Sequence, residues 1–236
     1  MSGPPLLDLR DVAVQRGTGA EGFRLDVPEL VLERGGRLAL LGASGSGKST
    51  LLELLALAAP PQSAVLFHFA PGETSLDVAA AWAQGGWALD AWRATQVGYV
   101  VQTGALLPFL SIGDNIALQA ELGGMSRRGR VKELAQRLGI ADQLGKLPAA
   151  LSVGQRQRAA IARALVHRPA LLLADEPTAS VDPAMAAEVL ALLMAETAAA
   201  GSALVLASHD HASVARLGLP VLRFEASPGR ARAVRV

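Results

Sequence analysis

The sequence predicts an α/β fold with a mainly parallel sheet, an antiparallel β-subdomain and an inserted α-helical subdomain. Three observations predict it. Short apolar runs of strand length alternate with longer helical patterns, as in parallel strands joined by helices. A glycine-rich loop stands between one such strand and the helix after it. From about Gly104 to Leu151 the pattern turns helical, with Gly and Pro breaks.

The elements follow in order. Leu6–Val14 and Phe23–Leu32 alternate as strands do, with Arg16-Gly-Thr-Gly between them as a turn. Arg37–Leu41 is a short apolar strand running into the glycine-rich loop, and Lys48–Ala59 is a helix stopped by Pro60-Pro61. Val65–Phe69 and Val97–Val101 are further strands. Ile112–Leu122 and Arg128–Leu138 are the helices of the middle segment. Gly154–His167 is a basic helix ended by Pro169. Ala170–Ala174 and Ala203–Ala207 are buried strands flanking the helix Pro183–Ala200, and Val221–Phe224 and Ala231–Val236 are the last strands. The whole reads as one domain over residues 1–236. Its core occupies about 1–102 and 154–236, and its helical subdomain about 103–153.

At 236 residues and 51% apolar composition the chain can bury a sizeable core. A net charge of +1 gives it no electrostatic reason to seek nucleic acid. The absence of cysteine excludes disulfides, thiolate metal sites and cysteine catalysis, and is compatible with the cytosol. The start, Met-Ser-Gly-Pro-Pro, has no basic region followed by an apolar run. The uncharged stretch from Leu54 to Gly72 is rejected as a membrane span, because Pro60, Pro61, Pro71, Gln62 and His68 would break and polarise it.

Gly42 to Ser49 match G-x-x-x-x-G-K-[ST]. Glycines let backbone N–H groups point at phosphates where a Cβ would obstruct. The helix N-terminus adds the positive end of its dipole. Lys48 suits the β- and γ-phosphates, and the Ser49 hydroxyl suits Mg²⁺. The strand before and the helix after supply the required context. Downstream, the apolar strand Leu171–Ala174 ends in Asp175 and Glu176. Asp175 suits Mg²⁺, and Glu176 suits a general base for an attacking water. Between them, Leu151-Ser-Val-Gly-Gln155 opens the basic helix like a second phosphate clamp.

Taken in order, these motifs resemble the nucleotide-binding subunits of ABC transporters, a family of P-loop NTPases, over nearly the whole chain. Gly42–Ser49 is similar to Walker A. Gln102 is similar to the Q-loop glutamine, Leu151–Gln155 to the signature, Leu171–Glu176 to Walker B, Ser180-Val-Asp182 to the D-loop and His209 to the switch histidine. Ser152 lies 23 positions before Asp175, and His209 lies 33 after Glu176, spacings usual for the family.

The resemblance implies a head-to-tail dimer, expected to be a homodimer. Each ATP would lie between Walker A of one copy and Ser152 and Gly154 of the other. The nucleotide-contacting set would be Gly42, Ser44, Gly45, Ser46, Gly47, Lys48, Ser49, Thr50, Ser152, Gly154, Gln155 and Asp182. Glu176, His209 and Gln102 would act in catalysis, and Ser49, Gln102 and Asp175 would serve Mg²⁺. The chain would power transmembrane permease subunits on a separate chain, from the cytoplasmic face of the inner membrane. Leu173-Ala-Asp-Glu-Pro-Thr and the stretch Leu106–Ile116 resemble the ATPases of lipoprotein-release and macrolide-export systems. An importer ATPase, and a non-transport ATPase regulating a membrane machine, stay open alternatives.

The sequence departs from the family at three places. Val153 replaces the first glycine of the signature pair, which would restrict φ beside the phosphate. The family's adenine-stacking aromatic has no counterpart at Val14-Gln15-Arg16, where Arg16 either offers its guanidinium plane or is a solvated surface group. Finally, Trp82, Trp87 and Trp92 fall within an extended stretch between Phe69 and Val97. They are expected to cover the β-subdomain; the alternative is a docking site for a partner.

Overall fold

The computed structural model describes residues 4–17, 22–102, 104–124, 128–179 and 181–235. Ser180, Val236 and the turn at Thr18 and Gly19 lie outside the described residues. The chain forms two compact units, one from residues 1–93 with 203–236 and one from residues 94–202.

The first unit holds most of the strands. β1 (Leu7–Arg16) and β2 (Phe23–Leu32) pair antiparallel along almost their whole length, from Leu7 opposite Leu32 to Arg16 opposite Phe23. β4 (Leu66–Phe69) pairs antiparallel with β1, and the two-residue β5 (Leu76–Asp77) with β4. β3 (Arg37–Leu41) lies parallel to both β8 (Ala203–Ser208) and β9 (Val221–Ser227). β10 (Arg230–Arg235) returns antiparallel to β9 and joins β2 in parallel. The sheet is therefore mixed, its antiparallel pairings concentrated around β1.

Alternation explains the register. Leu7, Leu9, Leu25 and Val27 turn inward and are buried, while Asp8, Arg10 and Asp26 turn outward into ion pairs. Leu51, Leu52, Leu54 and Leu55 of α1 (Lys48–Leu55) are fully buried. Each such side chain contributes about 1.5–3 kcal/mol relative to exposure. α1 is shorter than the sequence predicts. It ends at Ala56, and Leu57 turns to φ 59°, before the prolines.

Two short helices that the pattern does not announce follow β5: α2 (Val78–Ala83), capped by the Asp77 carboxylate, and α3 (Leu89–Gln96). They separate the three tryptophans. Trp92 meets Phe69 of β4 edge to face, with ring centroids 6.0 Å apart, so it covers the β-subdomain as expected. Trp82 is half-buried, whereas Trp87 is 83% exposed.

In the second unit β6 (Val97–Val100) and β7 (Leu171–Asp175) pair in parallel, Val97 opposite Leu171. The basic helix α6 (Val153–Leu165) packs on β6, and α4 (Ile112–Leu122), α5 (Arg128–Arg137) and α7 (Pro183–Ala200) pack on α6. The buried face of α6 is mostly alanine, from Ala159 to Ala164, which allows close approach. Among the described residues α7 alone is long and apolar enough to cross a membrane, with mean hydropathy 1.4 over 18 residues. Its Glu188 and Glu196 pair with Arg158 and Arg137 within this unit, and the Glu196 side chain is 5% exposed.

Candidate nucleotide site

The first unit builds the glycine-rich loop at the C-terminal end of β3. Gly42 and Gly47 are both required by space. A Cβ on Gly42 would stand 2.5 Å from the Ser46 hydroxyl oxygen, and one on Gly47 would stand 3.0 Å from the Phe23 ring. Gly47 also caps α1 at φ 102°, a conformation that side chains resist. Lys48, the first residue of α1, is 4% exposed, and its ammonium donates to the carbonyls of Gly42 (2.8 Å) and Ala43 (3.0 Å). Among the described residues the buried Ser46 hydroxyl has no hydrogen-bond partner. Ser44, Gly45 and Ser49 are exposed, and Thr50 is half-buried. A loop without room for a Cβ at Gly42 or Gly47, with a buried ammonium and an orphaned hydroxyl, fits a phosphate chain.

The same unit brings His209 to this end of the sheet. Ser208 of β8 pairs with Leu41 of β3, so His209 and Gly42 leave from the same end of adjacent parallel strands. His209 is exposed. Asp210 follows it and caps α8 (His211–Leu217), accepting from the Ala212 and Ser213 backbone N–H groups. The Ser213 hydroxyl donates to the same carboxylate and holds its pKa below the usual range.

The second unit repeats this logic. Val100 of β6 pairs with Ala174 of β7, so Gln102 and the Asp175-Glu176 pair leave from the same end of adjacent parallel strands. Asp175 and Glu176 are half-buried, and Gln102 is exposed. Glu176 has φ 44°, a left-handed conformation costly for a side-chain-bearing residue and characteristic of functional sites. Burial, with the Asp175 charge nearby, pushes the Tyr99 phenol well above its ordinary pKa, keeping it a neutral neighbour. Each unit carries oxygen donors of the kind a hard cation such as Mg²⁺ takes, Ser49 in the first and Gln102 and Asp175 in the second.

Helix α6 begins with a capping box. Ser152 accepts from the Gln155 N–H, and the Gln155 side chain accepts from the Ser152 N–H. The first intrahelical bond runs from Arg156 N–H to the Ser152 carbonyl. The N–H groups of Val153 and Gly154 thus remain at the open end of the helix, as the first-turn donors of any helix do. Val153 is 43% exposed and occupies the first helical position, with ordinary helical backbone. The expected φ restriction at Val153 is therefore no obstacle, because this position requires no left-handed angle. Gly154 is buried, and a Cβ there would stand 2.4 Å from the Met185 sulfur of α7. That contact sets the N-terminus of α6 beside that of α7, where Asp182 caps the Ala184 and Met185 N–H groups at 3.0 Å.

At the second departure noted in the sequence, Arg16 forms an exposed ion pair with Glu53 of α1. Sequence reasoning missed Asn115 of α4. It is fully buried, accepts from the Leu107 N–H at 2.7 Å and donates to the carbonyls of Leu107, Leu110 and Ser111 at 3.0 Å. Its signal in the sequence was a lone amide on the apolar face of the Ile112–Leu122 pattern.

Known proteins resemble this chain over most of its length. A family model for ABC transporters matches residues 25–179. The chain is 40% identical over 212 residues to the macrolide export ATP-binding/permease protein MacB 1 of Aeromonas hydrophila, covering 88% of this chain and 31% of that one. It is 38% identical over 211 residues to the lipoprotein-releasing system ATP-binding protein LolD of Oleidesulfovibrio alaskensis, covering 87% of each. The chain thus spans about a third of the MacB-type relative and most of the LolD-type one. Its fold matches the dimeric structure of a post-hydrolysis state of the ATP-binding cassette MJ0796 bound to ADP and Pi, with TM-score 0.81, 27% identity and 97% of this chain covered. On the family match, the shared fold and the phosphate loop, this chain belongs to the ABC transporter family and is an ATP-binding, ATP-hydrolysing domain of it.

Proposed function

We propose that two copies of this chain bind ATP head to tail and that closure of the pair drives permease subunits on a separate chain, in export or in extraction of lipid or lipoprotein from the membrane. The observation that carries the reading is the pair of helix N-termini, at Lys48 and at Ser152, both built with outward-facing N–H donors. If each site is shared, the second N-terminus meets the phosphate bound at the Lys48 of the other copy. The MacB and LolD relatives favour export or release. The chain's place is then peripheral, at the cytoplasmic face of the inner membrane.

In this reading Gly42–Thr50 cradle the phosphates, and Lys48 exchanges its two carbonyl partners for β- and γ-oxygens. Ser152, Gly154 and Gln155 of the second copy clamp the γ-phosphate from the other side, with Asp182 ordering that face. Mg²⁺, when bound by Ser49, Asp175 and Gln102, would neutralise charge on the β- and γ-oxygens. Glu176 polarises the attacking water and accepts its proton. His209 holds the γ-phosphate. Loss of that phosphate removes the shared contact and releases the halves.

Affinity purification from membranes tests the transport half of the reading. A co-purifying polypeptide with membrane spans and a large extracytoplasmic domain supports it, and recovery with soluble proteins alone contradicts it.

A further inference from the structure

One half-buried cation in the second unit has no role in the site described above. Arg163 lies in the last turn of α6, and burial depresses its pKa. Among the described residues it makes no ion pair. Its guanidinium donates instead to two backbone carbonyls, Ala105 at 2.7 Å and Gly104 at 2.9 Å. A half-buried cation without a carboxylate is costly, and the alanine-rich face of α6 would pack as well around an apolar residue. The two carbonyls are therefore what this charge serves. They belong to the arm immediately after Gln102, where Ala105 holds φ 41°. The far end of the arm, from Leu107 to Ser111, is held by Asn115.

Ser152 and Arg163 stand at opposite ends of one helix, about 16 Å apart at 1.5 Å per residue. We propose that Arg163 is a positioning residue that locks the Gln102 arm to α6, so that the arm and the Ser152 clamp move as one body. In a head-to-tail pair, Gln102 attends the copy's own ATP while Ser152 attends the partner's. A rigid link between them couples the two sites, and occupancy of one preorganises the other. The inference rests on the proposed dimeric ATPase.

The test is steady-state hydrolysis against ATP concentration, with nucleotide affinity and thermal unfolding measured in parallel, on the full chain and on Arg163→Met, Arg163→Lys and Ala105→Gly. Arg163→Met should keep nucleotide affinity, lose about tenfold in kcat, as expected for removal of charge-assisted hydrogen bonds, and lose the sigmoidal dependence on ATP. Arg163→Lys should recover part of both. Ala105→Gly, which relaxes the other side of the same link without removing a charge, should lower the cooperativity. Folded Arg163→Met with unchanged kcat and cooperativity overturns the proposal. So does a kcat that falls only in step with the folded fraction. Should Arg163→Met not fold, unchanged cooperativity in both Arg163→Lys and Ala105→Gly overturns it. A wild-type chain that fails to hydrolyse ATP removes the ATPase reading and this inference together, whereas a cooperative wild type with indifferent variants removes the inference alone.

Discussion

The two helix N-termini that the proposed function assigns to phosphate are built by different means. At Lys48 the loop depends on unusual backbone. Gly45 and Gly47 sit at φ 74° and 102°, and a buried ammonium is held by carbonyls of its own loop. At Ser152 the backbone is ordinary. A capping box closes the turn, Val153 is plain helix, and Gly154 is glycine because Met185 leaves no room for a Cβ. The difference teaches that the same G-rich signal answers two demands. In the proposed function the first loop wraps a phosphate chain by itself, and its special feature is conformation. The second would offer a rigid helix end to a phosphate held elsewhere, and its special feature is packing against α7. That is why a valine is admissible at position 153 and would not be at position 47.

The comparison can be sharpened from the largest effect downward. Glu176→Gln leaves both N-termini intact and removes the base, so turnover should fall about 10²–10⁴-fold while nucleotide binding persists. Phosphate-release kinetics check this, and a normal rate would remove Glu176 from its role. Lys48→Ala strikes the wrapping loop. Losing a charged donor to phosphate should weaken ATP binding about 10- to 100-fold, read by equilibrium titration with a fluorescent nucleotide. Gly154→Ala should cost about 1 kcal/mol of stability, because overpacking against Met185 costs about 1–3 kcal/mol and the helix entropy gained on replacing glycine offsets about 0.5–1 kcal/mol of it. Chemical denaturation measures it, and a net stabilisation would mean that Met185 does not fix Gly154. Val153→Gly is the smallest change. It should lower stability by less than about 0.5 kcal/mol, because valine is itself a weak helix former, and leave kcat nearly unchanged, against a marked gain in rate if the valine hindered phosphate.

Much of this fold was legible in the sequence because period and punctuation agreed. Phe23–Leu32, Arg37–Leu41, Ile112–Leu122 and Pro183–Ala200 carry the bounds that their patterns indicate. The helices α2, α3 and α8 were not legible. They are six to eight residues long, and each buries a single side chain, too little to leave a periodic mark. The motif residues were legible through order and spacing. Arg163 and Asn115 were not, because both serve backbone carbonyls of a loop, and a carbonyl partner leaves no complementary residue type to recognise. The role of Gly154 was half-read: its need for closeness was foreseen toward a phosphate, while the structure shows closeness to Met185.

The central claim is that the two N-termini work on one ATP from different copies. Hydrolysis by a mixture of Lys48→Ala chains and Ser152→Glu chains tests it most directly. Neither variant alone can form a complete site, since one lacks the ammonium and the other sets a carboxylate against the phosphate. In the mixture, the Lys48 of one chain meets the Ser152 of the other. The account predicts that activity rises well above either variant alone and follows the square of protein concentration when dilute. A mixture no more active than the sum of its parts would contradict it.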